Sequence, residues 1–588
     1  MVSGTRPPAP APPGRRSADP RGALAWLVAL TVVAAVHVAV SLDAVAPVQT
    51  KDEIGYLAAA RWLATGQGAG LITPEYAGGY AVGWGLLSAP LWWLTSHPPT
   101  VYAASIALDV VLAVALVVPA TALARRLGVG RGQSLLLATA LCLAAGRLGY
   151  TGYALPEGLL TLQLTTTAWL LLRLGSQAPP QPRSPTRAGS PWATLAGLAL
   201  LLAWLPTTHA RFAPLAALGL LVLTGWAWTA RSRAGALAVA VGSGGAAAGW
   251  WLNAHVEAVL YGDVARTAVA GEQVASLRPG DVLALMVGHA WYAAVAWLGL
   301  AVLGWLALLG PARRELVARR PGASTWLAVG AVAQLGVGAA YLSTRLDQGG
   351  RVDQLVYGRY GDPLWFVLAV VGGAALLARP APTRVLLGAL GATAALSGAT
   401  LVVLRTIGER VAGFVQLNVP GLQAWAWREG DRFVVPWLPA TLLALAVLGL
   451  LLLLVGRSRR GSPARTVAVV LLAAVLLPAA LVAEQRNIQP RDAYIRQMFA
   501  ARALVDAQPG VAVLLVVDRP LLLSGNALQW WLADRDPVVL GEGDAVPAAS
   551  PDGTLVVGPV AEPPSAPGPL RLLGTEPSTL YAVWRLER

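Results

Sequence analysis

The chain has 588 residues, with 44 Lys plus Arg against 30 Asp plus Glu and a single cysteine, Cys142. It is 56% hydrophobic and only 13% charged, with a mean hydropathy of +0.59, whereas an ordinary soluble chain is about 25% charged. So little charge cannot wrap several water-soluble domains, so much hydrophobicity excludes a disordered scaffold, and one cysteine excludes a disulfide framework or a cysteine metal cluster.

The net charge of +14 is almost wholly arginine, because Lys51 is the only lysine. In a soluble protein a pI near 10.5 would point to nucleic acid. Here the arginines cluster in short loops between apolar runs, which is the pattern of membrane topology, and no nucleic-acid partner is expected. The Arg, Ala, Gly, Pro, Val and Leu dominance matches the codon bias of a high-GC bacterial genome.

Residues 1–20, rich in Pro and Arg, read as a disordered cytoplasmic tail. The apolar run 23–42 is too long for a signal-peptide core and is a first transmembrane helix. Twelve further spans are expected, with cores at 101–123, 134–149, 158–174, 192–207, 213–229, 235–252, 283–309, 324–342, 364–378, 384–404, 433–456 and 466–483. Arginine loops at 125–126, 173–187, 231–233, 313–320, 379–384 and 457–465 follow every second span, placing them and the N-terminus in the cytoplasm. The intervening loops carry acids, aromatics and Gly and face outward. The expected fold is thus an all-α polytopic membrane domain over 21–484, with about thirteen spans, in a bacterial plasma membrane. Residues 485–588 alternate a helix-like stretch with short buried-strand patterns such as VAVLLVVD, and read as a small extracytoplasmic α/β domain.

The first outer loop, VQTKDEIGYLAAARWLATGQG, is the informative one. Lys51, Asp52 and Glu53 open an apolar-periodic stretch, which predicts a helix lying in the interface. The acids either cap that helix, worth about 0.3–1 kcal/mol through its dipole, or form part of a site. Glu157, after Pro156 in GYTGYALPEGLLTL, is a second acid at a helix start on the same side, again either an end-group or a site residue. Two such acids converging on one cavity would suffice to deprotonate a hydroxyl or hold a divalent cation.

Outward-facing cations run against the positive-inside trend. These are His209 and Arg211 in LPTTHARFAPL, then Arg345, Arg351 and Arg359 in STRLDQGGRVDQLVYGRYGDPLW, where Tyr357 and Tyr360 flank Arg359. They either bind an anionic ligand at the membrane surface, guanidinium being well matched to phosphate, or pair with Asp347, Asp353 or Asp362. His289 beside aromatics fits an interfacial belt. No GxxxxGK[ST] loop, HExxH or CxxC is present, which argues against nucleotide hydrolysis.

KDEIGYLAAARWLATG resembles the first outer loop of the GT-C superfamily of integral-membrane glycosyltransferases, whose kin include aminoarabinose transferases and protein O-mannosyltransferases. TPEYAGGYAVGWGLLSAPLWWL is similar to the second half of that loop, and RLGYTGYALPEGLLTLQL to the segment bringing a second acid. The resemblance spans roughly 20–480 in topology. It implies a polyprenyl-phosphate-linked sugar donor, an envelope glycan, lipid or protein acceptor, and inverting transfer. Asp52 matches the carboxylate that takes the acceptor proton, with Glu53 its neighbour and Glu157 the second acid. Glu75 corresponds to a third, and in some members Asp52, Glu75 and Glu157 would together hold a divalent cation. Arg211, Arg359 and Lys51 are the candidates for the lipid phosphate, with His209, Tyr357 and Tyr360 beside them. The second acid is commonly Asp in the family, and the Lys-Pro-Pro of some relatives is absent here. The bacterial context favours arabinose or mannose as the sugar. A lipid-linked sugar flippase or transporter, a polysaccharide polymerase or ligase, and a non-enzymatic scaffold are the competing readings. In the C-terminal domain, Trp530 and Trp531 either stack on acceptor sugar or form a small core.

Overall fold

The computed structural model describes residues 20–42, 44, 46–47, 51–67, 80–176, 191–262, 276–344, 352–378, 383–407, 416–425, 427–429, 432–434, 436–456, 463–516, 528–540, 544–550, 553–560, 564–575 and 581–587. The apolar segments of the sequence become helices because buried backbone in a lipid setting must satisfy its own hydrogen bonds. In chain order these are α1 (Pro20–Ser41), α2 (Lys51–Thr65), α3 (Gly83–Leu94), α4 (Pro98–Arg126), α5 (Arg131–Cys142), the single turn α6 (Ala145–Leu148), α7 (Glu157–Gly175), α8 (Trp192–Thr208), α9 (Ala213–Thr229) and α10 (Arg233–Tyr261). There follow α11 (Pro279–Ala296), α12 (Leu300–Val317), α13 (Ala323–Ser343), the short α14 (Val352–Leu355), α15 (Asp362–Ala378), α16 (Thr383–Ile407), α17 (Trp437–Gly456) and α18 (Pro463–Asp506). Among the described residues eight helices are by themselves long and apolar enough to cross a membrane, or nine if the bent pair α11–α12 is one span.

Two expected spans are not single straight helices. The segment 134–149 stops as a helix at Cys142, and the turn α6 follows. The segment 283–309 is α11 and α12 meeting at 109°. Leu298 (φ 50°) and Gly299 (φ 78°) are consecutive left-handed residues there, a conformation that ends a right-handed helix.

The bundle is built by close helix packing, α4 against α7, α8 against α10 and α12 against α15. At the last pair Gly304 and Gly372 allow backbone-to-backbone contact. A Cβ on Gly372 would overlap the Leu300 carbonyl oxygen, and one on Gly304 that of Leu368. Small residues at such crossings are how membrane helices approach. Gly372→Ala should therefore destabilise the chain by about 1–3 kcal/mol, the usual cost of overpacking. Melting in detergent checks this against Gly391→Ala, where an added Cβ meets nothing within 4 Å; equal melting temperatures would refute it.

At 44 residues α18 is roughly 66 Å long, about twice a bilayer's hydrocarbon core. It runs unbroken through position 485, so the bundle and the C-terminal unit share one helix. The unit's sheet has strand order β4-β3-β5-β7-β6, from β3 (Ala512–Val516), β4 (Val538–Leu540), β5 (Thr554–Pro559), β6 (Leu570–Gly574) and β7 (Tyr581–Leu586). β3 lies parallel to β4 and β5, while β7 is antiparallel to β5 and β6. A small hairpin, β1 (Trp427–Glu429) with β2 (Arg432–Val434), precedes α17.

Trp530 and Trp531 are 0% and 2% exposed, so they are core and not a platform for sugar. That core is shared with the first loop: α2 and α3 contribute Leu57, Trp84 and Trp92 to the same cluster as Val513, Leu515 and Trp530. Trp92 meets Trp530 edge to face at 5.4 Å, and Arg61 lies 5.6 Å over the Trp92 ring. Arg502 binds Asp506 (2.8 Å), Asp534 (2.6 Å) and the Trp531 carbonyl, locking the end of α18 to the helical segment before β4. Helix α2 is thereby packed against the bundle on one side and the C-terminal unit on the other.

Candidate active site

Helix α2 opens with Lys51, Asp52 and Glu53, and consecutive residues on a helix point about 100° apart. Asp52 keeps 24% of its side chain exposed. Its Oδ1 accepts from the Tyr80 hydroxyl at 2.9 Å and its Oδ2 from Arg359 Nη1 at 2.6 Å. Glu53 is fully buried and turned the other way, accepting from Tyr102 Oη (2.7 Å) and from the Ala154 amide (2.9 Å). It fastens α2 to the segment before Glu157.

Glu157 is the first residue of α7 and is 1% exposed. Its Oε1 accepts from Arg359 Nε at 2.8 Å and from Arg211 Nη2 at 3.4 Å. One guanidinium therefore spans both acids, since Arg359 binds Glu157 through Nε and Asp52 through Nη1. Glu157 Oε2 and Arg211 Nε are buried without a hydrogen-bond partner among the described residues.

Arg211 sits in a short 3-10 turn after α8. The His209 ring accepts from its amide at 3.3 Å and lies 3.2 Å from its Nη1. The guanidinium stacks 4.3 Å over Tyr360, and Tyr357 lies 4.4 Å from Tyr360, an arrangement worth about 2 kcal/mol or more when desolvated. The turn carrying these residues is held by its backbone, because the Gly358 and Arg359 amides donate to the Asn418 carbonyl at 2.8 and 3.0 Å. The Asn418 side-chain Nδ2 in turn donates to Asp353 Oδ2 at 2.7 Å.

Asp362, four residues after Gly358, accepts from Tyr150 (2.7 Å), Tyr292 (2.9 Å) and Trp297 Nε1 (3.1 Å). It ties the start of α15 to the bend between α11 and α12 and to the segment before Glu157. Asp353 and Asp362, the neighbouring acids considered as partners for the arginines, are thus engaged with Asn418 and with the two tyrosines and Trp297. Arg359 instead pairs with acids more than two hundred residues away.

Of the expected site residues, the structure brings together Asp52, Glu157, His209, Arg211, Tyr357, Arg359 and Tyr360. Glu53 is adjacent but faces inward. The Lys51 side chain, Glu75, Arg345, Arg351 and Asp347 lie outside the described residues. His289 is buried in α11, its Nε2 3.0 Å from the Gln354 carbonyl oxygen. Tyr80, Tyr102, Tyr150 and Asn418 are site-building residues that sequence reasoning missed; interfacial tyrosines look like belt aromatics, and Asn418 carries no distinguishing pattern.

Burial works against the Arg359 charge, but Glu157 and Asp52 outweigh it and hold its pKa above the ordinary value. The guanidinium is therefore charged at every accessible pH. Burial first, then the Glu157 carboxylate, pushes the Tyr56 hydroxyl up, so it stays neutral beside the site. Chemically, the cluster presents a partly exposed carboxylate that can take a proton and two guanidiniums that can hold an anion. Among the described residues no group of three His, Cys, Asp or Glu is arranged to hold a metal ion; Arg359 lies between Asp52 and Glu157.

No family model and no curated protein matches the chain. Solved structures do. ArnT from Cupriavidus metallidurans bound to undecaprenyl phosphate superposes with a TM-score of 0.54 and 14% identity over 96% of this chain and 98% of that one. Its apo state gives 0.54 and 15% over the same shares. The oligosaccharyltransferase AglB from Archaeoglobus fulgidus, in complex with an inhibitory peptide and a dolichol-phosphate, gives 0.43 and 11%, over 87% of this chain and 64% of that one. The fold over nearly the whole chain is similar to that of ArnT.

Proposed function

We propose that the protein is a membrane glycosyltransferase that moves a sugar from a polyprenyl-phosphate donor to the hydroxyl of an envelope glycan, lipid or protein. The observation that carries this reading is the convergence of Asp52 and Glu157 on Arg359, with Arg211 alongside, in a chain with the ArnT fold. The ArnT structure bound to undecaprenyl phosphate supports a lipid-phosphate donor.

In this mechanism the acceptor hydroxyl attacks the anomeric carbon from the face opposite the phosphate, inverting it. The acceptor proton passes to Asp52, the bond from the anomeric carbon to the phosphate oxygen breaks, and polyprenyl phosphate leaves. Arg211 and Arg359 bind the phosphate and steady the charge that develops on it. Lipid phosphate is already a competent leaving group, so positioning supplies much of the rate. A divalent cation on Asp52, Glu75 and Glu157 is tested with a chelator: turnover that stops and returns with added divalent cation assigns one, whereas turnover indifferent to the chelator leaves Arg359 as the counter-charge of both acids.

The test is release of free polyprenyl phosphate when purified protein is incubated with a panel of polyprenyl-phosphate sugars and an envelope extract. Release with one donor, arabinose or mannose among those tried, names the sugar. Flux of intact donor across liposomes without release would make the protein a transporter. Release only from pyrophosphate-linked donors would make it a polymerase or ligase.

A further inference from the structure

At the far end of α7 from Glu157 lies a cavity of about 510 Å³ that the proposed reaction does not use. It opens between the last turns of α4, α7 and α9 and the start of α13. Counting along α7 from Glu157 to Gly175 at 1.5 Å per residue separates it from the candidate active site by roughly 27 Å, close to the roughly 30 Å hydrocarbon thickness of a bilayer. The two sites therefore sit at opposite ends of α7, and this one is at the end beside the arginine-rich segments 125–126 and 313–320.

Its walls are amphipathic. Leu171, Leu174 and Val222 line the interior, while Trp226, Arg126 and Arg320 stand at the mouth. Both arginines are exposed, and Arg126 Nη2 donates only a long 3.4 Å bond to the Arg173 carbonyl. Glu315, the one acid in the wall, is occupied in holding the start of α13. Its Oε2 accepts from the Gly322 amide (3.0 Å), the Thr325 amide (2.8 Å) and the Thr325 hydroxyl (2.8 Å). An apolar cleft at the interface, with guanidiniums at its rim, matches a ligand with an acyl chain and an anionic phosphate head.

We propose that this cavity is a binding site for an anionic phospholipid of the phosphatidylglycerol type, its phosphate on Arg126 and Arg320 and its proximal acyl chain against Leu171, Leu174 and Val222. A zwitterionic lipid carries no net charge to match the rim.

Native mass spectrometry of the full chain in detergent, titrated with phosphatidylglycerol or phosphatidylcholine of identical chains, reads the occupancy directly. We expect phosphatidylglycerol to be retained preferentially. Each of Arg126→Gln and Arg320→Gln should weaken it about fivefold, the ratio equal to about 1 kcal/mol per basic residue at a charged lipid surface. Arg233→Gln, on the same side but outside the cavity, should leave it unchanged. Gly225→Leu keeps both arginines and places its side chain in the mouth beside Pro321, and should also displace the lipid; it decides the matter if the arginine variants do not fold. Equal retention of phosphatidylcholine, or binding indifferent to Arg126, Arg320 and Gly225, would overturn the site. Displacement by soluble glycerol 1-phosphate alone would make it an anion site and overturn the lipid assignment.

Discussion

Arg359→Met should cost the protein both stability and donor binding, and the first loss should shrink when its partners are neutralised. Arg359 is 5% exposed and bridges Asp52 at 2.6 Å and Glu157 at 2.8 Å. Removing one partner of a buried ion pair typically costs about 3–5 kcal/mol, because the remaining charge is left without compensation. Arg211 still reaches Glu157, at 3.4 Å, and Asp52 is 24% exposed, so the loss should fall toward the lower end of that range. Thermal melting in detergent of Arg359→Met, of Asp52→Asn with Glu157→Gln, and of all three together closes the cycle. Full additivity of the three changes would show that the bridge carries no coupling energy. Arg359→Lys sharpens the test, because one ammonium cannot place two nitrogens as Nε and Nη1 are placed. It should fold and bind polyprenyl phosphate poorly. Unchanged lipid affinity in Arg359→Lys would remove this residue from the phosphate site. The raised pKa of Arg359 means that no working pH discharges it, so a pH-dependent loss of the bridge has to come from its acids.

The ends of the helices were legible in the sequence and their mutual contacts were not. Asp52 is visible because three consecutive charges beside a long apolar run have few explanations, and Glu157 because an acid after proline marks a helix start. Arg359 stands out only as a cation on the side that should lack them. That these three meet is invisible locally, since 307 residues separate Asp52 from Arg359. Asp362 illustrates the reverse error: its closeness in sequence to Arg359 suggested an ion pair, yet its side chain lies among Tyr150, Tyr292 and Trp297. The bend at Trp297–Gly299 was hidden inside an unbroken apolar run, where hydropathy measures burial but carries no information about direction. Trp530 and Trp531 show the same limit, because composition cannot say whether a tryptophan pair faces water or, as here, the back of α3.

Asp52→Asn should lower turnover by about 10²–10⁴, the usual contribution of a positioned general base, while leaving donor binding and folding nearly intact. The substitution keeps the side chain's shape. The amide oxygen can still accept from Arg359 Nη1, and the amide nitrogen can donate to the Tyr80 hydroxyl, so these two contacts at the start of α2 have replacements. Glu157 retains Arg359 in place. What the amide cannot do is take a proton from an attacking hydroxyl. Asp52 suits that role better than Glu53 or Glu157, because it is the one of the three with appreciable exposure, at 24% against 0% and 1%. Parallel measurement of polyprenyl-phosphate release and of donor binding separates the alternatives. Wild-type release from Asp52→Asn would eliminate Asp52 as the base. Loss of donor binding with loss of release would recast it as a positioning residue for Arg359. Tyr80→Phe then distinguishes support from chemistry: it removes one hydrogen bond to Asp52 but leaves the carboxylate, so it should slow release far less than Asp52→Asn does.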